Sequence, residues 1–232
     1  RLLAETPTVR AGFTDDGLSD PVQFIGSPDL EVPFTEVDLT GLDPAEQQAR
    51  AEKLIEEDRL QPFDLATPPL WRMLLLHLDG IDRLVVNREF ILWDGWSGAL
   101  FVDELLARYA GDEIAAPEAG FTDYLAWLAT RDRAAAEQAW RDEFSGFDKP
   151  TLLAGSTRDR AAIVPLRIES YIDEELTTAL RERARSTGVT LNALMNAVVG
   201  LLLAAESGST DVVFGSTVAG RPTEIVGLDR VI

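Results

Sequence analysis

The chain has 232 residues, 46% of them hydrophobic and 26% charged, enough apolar material for a large core in one domain or two lobes. Forty acidic against 21 basic side chains give a formal charge of −19, a field that repels phosphate backbones and anionic membranes and argues against nucleic acid as a partner. The lack of cysteine excludes disulfides, thiolate metal sites and cysteine nucleophiles, and a single histidine, His77, makes no transition-metal site.

The apolar runs are too short to span a membrane and no secretory signal opens the sequence, so a cytoplasmic location is expected. The opening Arg1-Leu2-Leu3-Ala4-Glu5 reads as a helix already under way, which suggests a fragment of something larger. Residues 8–13 and 22–25 read as short strands around the turn-rich Asp15-Asp16-Gly17. Asp43-Pro44-Ala45-Glu46 starts a helix that should run to about Leu60 and stop before Pro62. There Asp43 accepts from the first free amides, Pro44 fits the first helical position and Glu46 can reach back. Residues 71–78 and 83–92 are strand-like runs around Asp79-Gly80, a hairpin signal. Ser97 is then expected to cap a helix with Phe101, Val102, Leu105, Leu106 and Tyr109 on one face, closed by Gly111.

Residues 121–146 read as one long helix or two shorter ones, with Tyr124, Leu125, Leu128, Trp140 and Phe144 facing inward. A polar connector follows, then a strand over 163–171, a helix capped by Asp173, an apolar helix over 191–205 and a strand at 212–214. Three divisions are therefore expected: 1–150, a connector at 151–162, and 163–232.

Four stretches carry a resemblance. Arg88-Glu89-Phe90-Ile91-Leu92-Trp93-Asp94-Gly95 resembles the His-His-x-x-x-Asp-Gly signature of nonribosomal peptide synthetase condensation domains, with Asp94 and Gly95 matching and Glu89 and Phe90 in the histidine positions. Thr8-Val9-Arg10-Ala11-Gly12-Phe13 is similar to the family's Leu-Arg-Thr-x-Phe segment. Pro62-Phe63-Asp64-Leu65, followed by Pro69-Leu70, looks like its Arg-Pro-Phe-Asp-Leu…Pro-Leu segment, with Gln61 for the arginine. Ser216 to Pro222 resembles its Gly-Thr-Pro-Val-Ala-Gly-Arg-Pro segment. They lie in the family's order along the chain.

The resemblance implies an α/β (α+β) fold, a two-lobe pseudo-dimer like chloramphenicol acetyltransferase, with the first lobe mostly present and the second truncated. It implies peptidyl carrier proteins as partners, which bring substrates on phosphopantetheine to a tunnel between lobes, with no cofactor or metal resident in the domain. The second motif histidine would assist the acceptor amine, a task suited to a group titrating near neutrality. Phe90, carried onto that position, neither gives nor takes a proton. Glu89 could act as base only if burial raised its pKa, and neighbouring strand residues point to opposite faces. In the family the motif aspartate is held by an arginine of the first segment, here Arg10, so an Arg10–Asp94 ion pair is expected; the plainer alternative has Asp94 cap the next helix.

Trp71, Trp93 and Trp96 are expected as core or tunnel lining, beside Phe90. Two other chemistries have partial signatures. Glu89-x-x-x-x-Asp94-x-x-Ser97 resembles a heterocyclisation motif, and Gly95-Trp96-Ser97-Gly98-Ala99 nearly matches a hydrolase nucleophile elbow, although its fifth position is alanine and His77 precedes the serine. His77 itself reads as a satisfied strand histidine, and Arg221 as the local partner of an acidic group or, alternatively, as facing a carrier protein's phosphopantetheine phosphate. The expectation is a condensation-type domain that has lost its base and binds carrier proteins or a trans-acting tailoring enzyme. The alternative is an active amide-forming domain with an atypical site.

Overall fold

The computed structural model describes residues 2–153 and 168–232. They fall into two compact units, Arg1–Arg131 with Ala219–Ile232, and Asp132–Val218. This division differs from the expected one. The last fourteen residues cluster with the first unit, and residues 132–150 cluster with the second.

In the first unit, α1 (Leu2–Glu5) is followed by a 3-10 turn at Pro7–Arg10, and β1 (Ala11–Thr14) pairs antiparallel with β2 (Val22–Ile25). The expected strand at 8–13 starts late because Pro7 initiates that turn. A second sheet has the order β3 (Phe34–Asp38), β4 (Trp71–Leu78), β5 (Ile81–Arg88). β3 runs parallel to β4, from Phe34 opposite Met73 to Asp38 opposite His77. A parallel pair needs a crossover, and α2 (Pro44–Leu60) provides it. Asp43 caps α2 as read from sequence, its carboxylate accepting from Ala45 N at 2.9 Å.

β4 shows why α2 docks where it does. Alternation puts Leu74, Leu76 and Leu78 on one face, where they bury together with Leu39 and with Ala51 of α2. Arg72 on the same face reaches the helix end. Its Nε donates to Asp58 Oδ1 at 2.7 Å, and Nη2 donates to the carbonyls of Asp58 and of Gln61, the latter at 2.9 Å. Asn87 of β5 adds Nδ2 donation to the Asp58 carbonyl at 3.1 Å. A guanidinium at a helix C-terminus satisfies carbonyls left without intrahelical partners and complements the dipole.

The β4–β5 hairpin closes through Asp79-Gly80, with Gly80 at φ 84°. β5 ends at Arg88, four residues before the expected end, and Phe90–Leu92 form a turn. α3 (Gly95–Ala110) starts at an Asp94 cap, not at Ser97, and stops at Gly111 with φ 95°. Phe101 of α3 is buried to 1% exposure between Trp71, edge-on at 4.9 Å, and Trp93, stacked at 4.9 Å. Trp71 Nε1 donates to the Val9 carbonyl at 2.9 Å, fixing the N-terminal turn to the same core. Of the apolar residues expected on one face of this helix, Phe101 is buried, while Val102, Leu106 and Tyr109 are exposed. α4 (Phe121–Ala129) then carries a row of stacked rings of its own, Phe121, Tyr124 and Trp127.

The second unit holds α5 (Arg133–Glu143), α6 (Glu174–Ser186) and α7 (Leu191–Ser207), capped by Asp132, Asp173 and Thr190 respectively. The expected inward faces of Trp140 and Phe144 are exposed. The expected strand at 163–171 lies mostly outside the described residues, as does most of the connector, and 168–171 carry no strand. Residues 212–214 form no ladder either, although Val213 N donates to Thr151 Oγ1 at 2.9 Å. Among the described residues no single helix is long and apolar enough to cross a membrane.

His77 is clamped on the β3–β4–β5 sheet. Nε2 lies 2.6 Å from Glu36 Oε1 on β3 and Nδ1 lies 2.8 Å from Asp82 Oδ1 on β5. The bonds to Glu36 and Asp82 raise its pKa above the ordinary histidine value and outweigh the opposing effect of burial. A raised folded pKa means the stabilisation is complete below the unfolded value, about 6.5, and is lost as pH rises through the folded value. The melting-temperature gap between the protein and His77→Gln should therefore be widest near about pH 6 and shrink toward about pH 9. A gap that stays constant across that range would refute the clamp.

Candidate functional site

The end of β5 builds a sharp corner. Glu89 N donates to the Leu70 carbonyl at 3.0 Å, and Leu92 N to the Glu89 carbonyl at 3.1 Å. The turn so closed buries Leu92 and Trp93 and leaves Phe90 79% exposed. Glu89 and Phe90 therefore do not alternate as strand neighbours, because the strand ends at Arg88 and Phe90 sits on the turn. The Arg88 guanidinium lies 4.8 Å from the Phe90 ring centre and 5.8 Å from that of Trp93, backing both rings.

Asp94 starts α3. Its Oδ1 accepts from Ser97 N at 2.8 Å and lies 3.5 Å from Arg221 Nη2. Burial pushes its pKa up, but the Ser97 amide and hydroxyl and the Arg221 charge outweigh this and hold it below the usual carboxylate value. Arg221 has further partners. Nη2 donates to Ser97 Oγ at 2.8 Å, and Nη1 donates to the carbonyls of Leu228 at 2.6 Å and Val231 at 2.7 Å. One guanidinium thus joins the motif corner to the closing segment of the chain.

The cation beside Asp94 is Arg221, not the expected Arg10. Arg10 is buried and turned the other way, its Nη1 donating to the Gly26 carbonyl at 2.7 Å while Gly26 N donates to the Arg10 carbonyl at 2.9 Å. It closes the end of the β1–β2 pair instead.

These elements enclose a cleft of about 400 Å³. Phe13 of β1, Phe90 and Trp93 of the corner, and Phe121 and Tyr124 of α4 supply its rings, and Asp94, Ser97 and Arg221 its principal polar group. Phe90 and Trp93 thus line it as expected of tunnel residues, although Trp93 is chiefly core. Trp96 does not line it; its Nε1 donates to the Asp229 carbonyl at 2.8 Å. Glu89 and Gly95 are also absent from the lining. Sequence reasoning missed Phe13 and Phe121 as parts of the site, and it gave Arg221 a local acidic partner or a carrier phosphate, where the structure pairs it with the distant Asp94. The signal available was the i, i+3 spacing of Phe121 and Tyr124 on one helical face.

The cleft has limited proton chemistry. Asp94 is ion-paired with a lowered pKa, the opposite of what a general base near neutrality needs. The hydrolase elbow is not assembled, since Ser97 Oγ accepts from Arg221 and His77 is held by Glu36 and Asp82. Among the described residues no group of three His, Cys, Asp or Glu is placed to hold a metal ion.

Lysine cannot reproduce the forked contacts of Arg221. Arg221→Lys should lower the free energy of unfolding by about 2–3 kcal/mol, read from urea denaturation, because it leaves carbonyls without a charged donor. A loss under about 0.5 kcal/mol, the range of an ordinary surface substitution, would contradict this role.

Comparison with known proteins agrees with this geometry. A family model described as "Condensation domain" matches residues 1–232. A linear gramicidin synthase of Brevibacillus parabrevis is 33% identical over 233 residues, covering 97% of this chain and 4% of that protein. Bacitracin synthase 1 of Bacillus licheniformis is 30% identical, with 97% of this chain and 4% of that protein covered. The chain therefore spans a small fraction of these curated relatives. Among solved structures, the first condensation domain of the CDA synthetase superposes with a TM-score of 0.69 at 24% identity, covering 99% of this chain and 56% of that one. The EpoB cyclization-docking bidomain from Sorangium cellulosum reaches 0.70 at 21% identity, covering 90% of this chain and 42% of that one. These likenesses show a shared mixed α/β fold. A family match from end to end, over a corner that keeps Asp94 and Gly95 at the start of α3, leads to one conclusion: the chain belongs to the condensation-domain family.

Proposed function

We propose that this chain is the condensation-type domain of a nonribosomal peptide synthetase whose motif has lost its base, and that it binds carrier-delivered substrates without joining them. The observation that carries this reading is the composition of the cleft. Among the described residues its ionisable side chains are Asp94, Tyr124 and Arg221, and Asp94 and Arg221 are bonded to each other. Phe90, at the position of the second motif histidine, turns an exposed hydrocarbon ring to the cleft. General acid–base assistance contributes about 10²–10⁴-fold to a typical reaction, and no lining group is poised to give it.

On this reading peptidyl carrier proteins are the partners, and phosphopantetheine arms present the substrates. The domain then acts as a platform for carriers or for a trans-acting tailoring enzyme. The family resemblance supplies these roles; the retained corner supports the platform, and the cleft supports the lost turnover.

A carrier-bound assay of amide formation tests it, with the protein and Phe90→His side by side. The protein should give no amide above the uncatalysed background, and Phe90→His should raise the rate by about 10²-fold or more by restoring a titratable ring. Amide formation by the unmodified protein would instead favour catalysis by alignment of tethered reactants alone, which supplies large effective molarities without a base.

A further inference from the structure

The cleft is selective in its chemistry. Phe121 and Tyr124 lie one turn apart on α4 with ring centres 5.9 Å apart and planes inclined by 28°, so they present one continuous aromatic wall. Phe90 forms another part of the lining, 79% exposed, with Arg88 stacked 4.8 Å from its ring centre. An exposed phenyl ring held in place by a neighbour is surface that a guest can cover, and covering it removes apolar area from water. The cleft volume, about 400 Å³, falls in the range of small-molecule sites.

Charge narrows the guest further. Asp94 is already compensated by Arg221 and hydrogen-bonded to Ser97, so it offers little to a cationic side chain. The cation–π capacity of Phe90 is likewise engaged by Arg88, whose own charge repels a second cation. An anionic side chain would find the Arg221 charge already taken by Asp94, inside a protein of formal charge −19.

We infer that the cleft selects a carrier-tethered aminoacyl or acyl group with a bulky aromatic side chain, and that Phe90, Phe121 and Tyr124 determine that specificity. The inference rests on the carrier-substrate reading above. Stacking and edge contacts with these rings supply the preference, and Arg88 is a positioning residue that holds Phe90 in the orientation the guest meets.

The test uses amide analogues of aminoacyl phosphopantetheine, with nitrogen in place of the thioester sulfur, bearing phenylalanine, aspartate or lysine. Bare phosphopantetheine is the fourth probe. Each is titrated calorimetrically into the protein, Phe90→Ala and Tyr124→Ala, with melting curves to confirm that the variants fold. The phenylalanyl analogue should bind about tenfold tighter than the aspartyl and lysyl analogues, and either variant should shrink that preference to about threefold. Equal binding of all three analogues, or tightest binding of a charged one, overturns the specificity while leaving the carrier reading in place. No binding of any probe, bare phosphopantetheine included, overturns both.

Discussion

The Arg221 guanidinium is the contact on which the site depends. It is the point where the closing segment, Ala219–Ile232, is tied to the motif corner, through Asp94 and Ser97 on one side and two backbone carbonyls on the other. Its forked geometry matters because four acceptors lie around one planar cation, an arrangement that a point charge cannot serve. Val231 and Ile232 bury as a result of that attachment, and Ile232 joins the core of Trp71, Trp93 and Phe101. Aromatic packing and ion pairing therefore support each other: the rings fix where Trp93 and Asp94 stand, and the cation holds the segment that covers them.

This arrangement also fixes the chemical state of the corner's side chains. Asp94 serves as a helix cap and a salt-bridge acceptor, two roles that the ionised form performs better and that favour a low pKa. A group committed to its charge in this way stabilises structure at the expense of proton exchange. The single imidazole of the protein is committed elsewhere, between Glu36 and Asp82, where it fastens three strands together. Asp94, Arg221 and His77 thus each hold separate elements of the fold together.

Much of the fold is legible in the chain because its signals are local. Asp43-Pro44 marks the start of α2 and Gly111 the end of α3, and the β4–β5 hairpin follows from alternation around Asp79-Gly80. Features that need distant partners are harder to read. β3 escapes notice because Phe34-Thr35-Glu36-Val37-Asp38 has weak alternation and depends on its pairing to β4. The run at 83–92 reads as one strand, whereas the backbone bonds of Glu89 and Leu92 turn the chain after Arg88. Resemblance matches Arg10 to Asp94, yet the Arg10 guanidinium is taken by the carbonyl of Gly26. The Arg221–Asp94 pair spans most of the sequence, and no local pattern marks an interaction of that reach. Phe90 and Trp93 are legible as cleft residues because the motif fixes their neighbourhood; Phe121 is not, since its contribution depends on where α4 comes to rest.

The parallel pairing of β3 with β4 has a consequence for how the chain assembles. The β4–β5 ribbon joins neighbours through a two-residue link and can form on the microsecond scale, whereas β3 is separated from its partner by the whole of α2. Closing that longer loop costs entropy before any ladder bond repays it. As the polypeptide emerges from the ribosome, β3 and α2 are made first, but Leu39 and Ala51 have nothing to bury against until Leu74, Leu76 and Leu78 have followed. β3 and α2 thus wait for a strand not yet synthesised before their shared face can be buried.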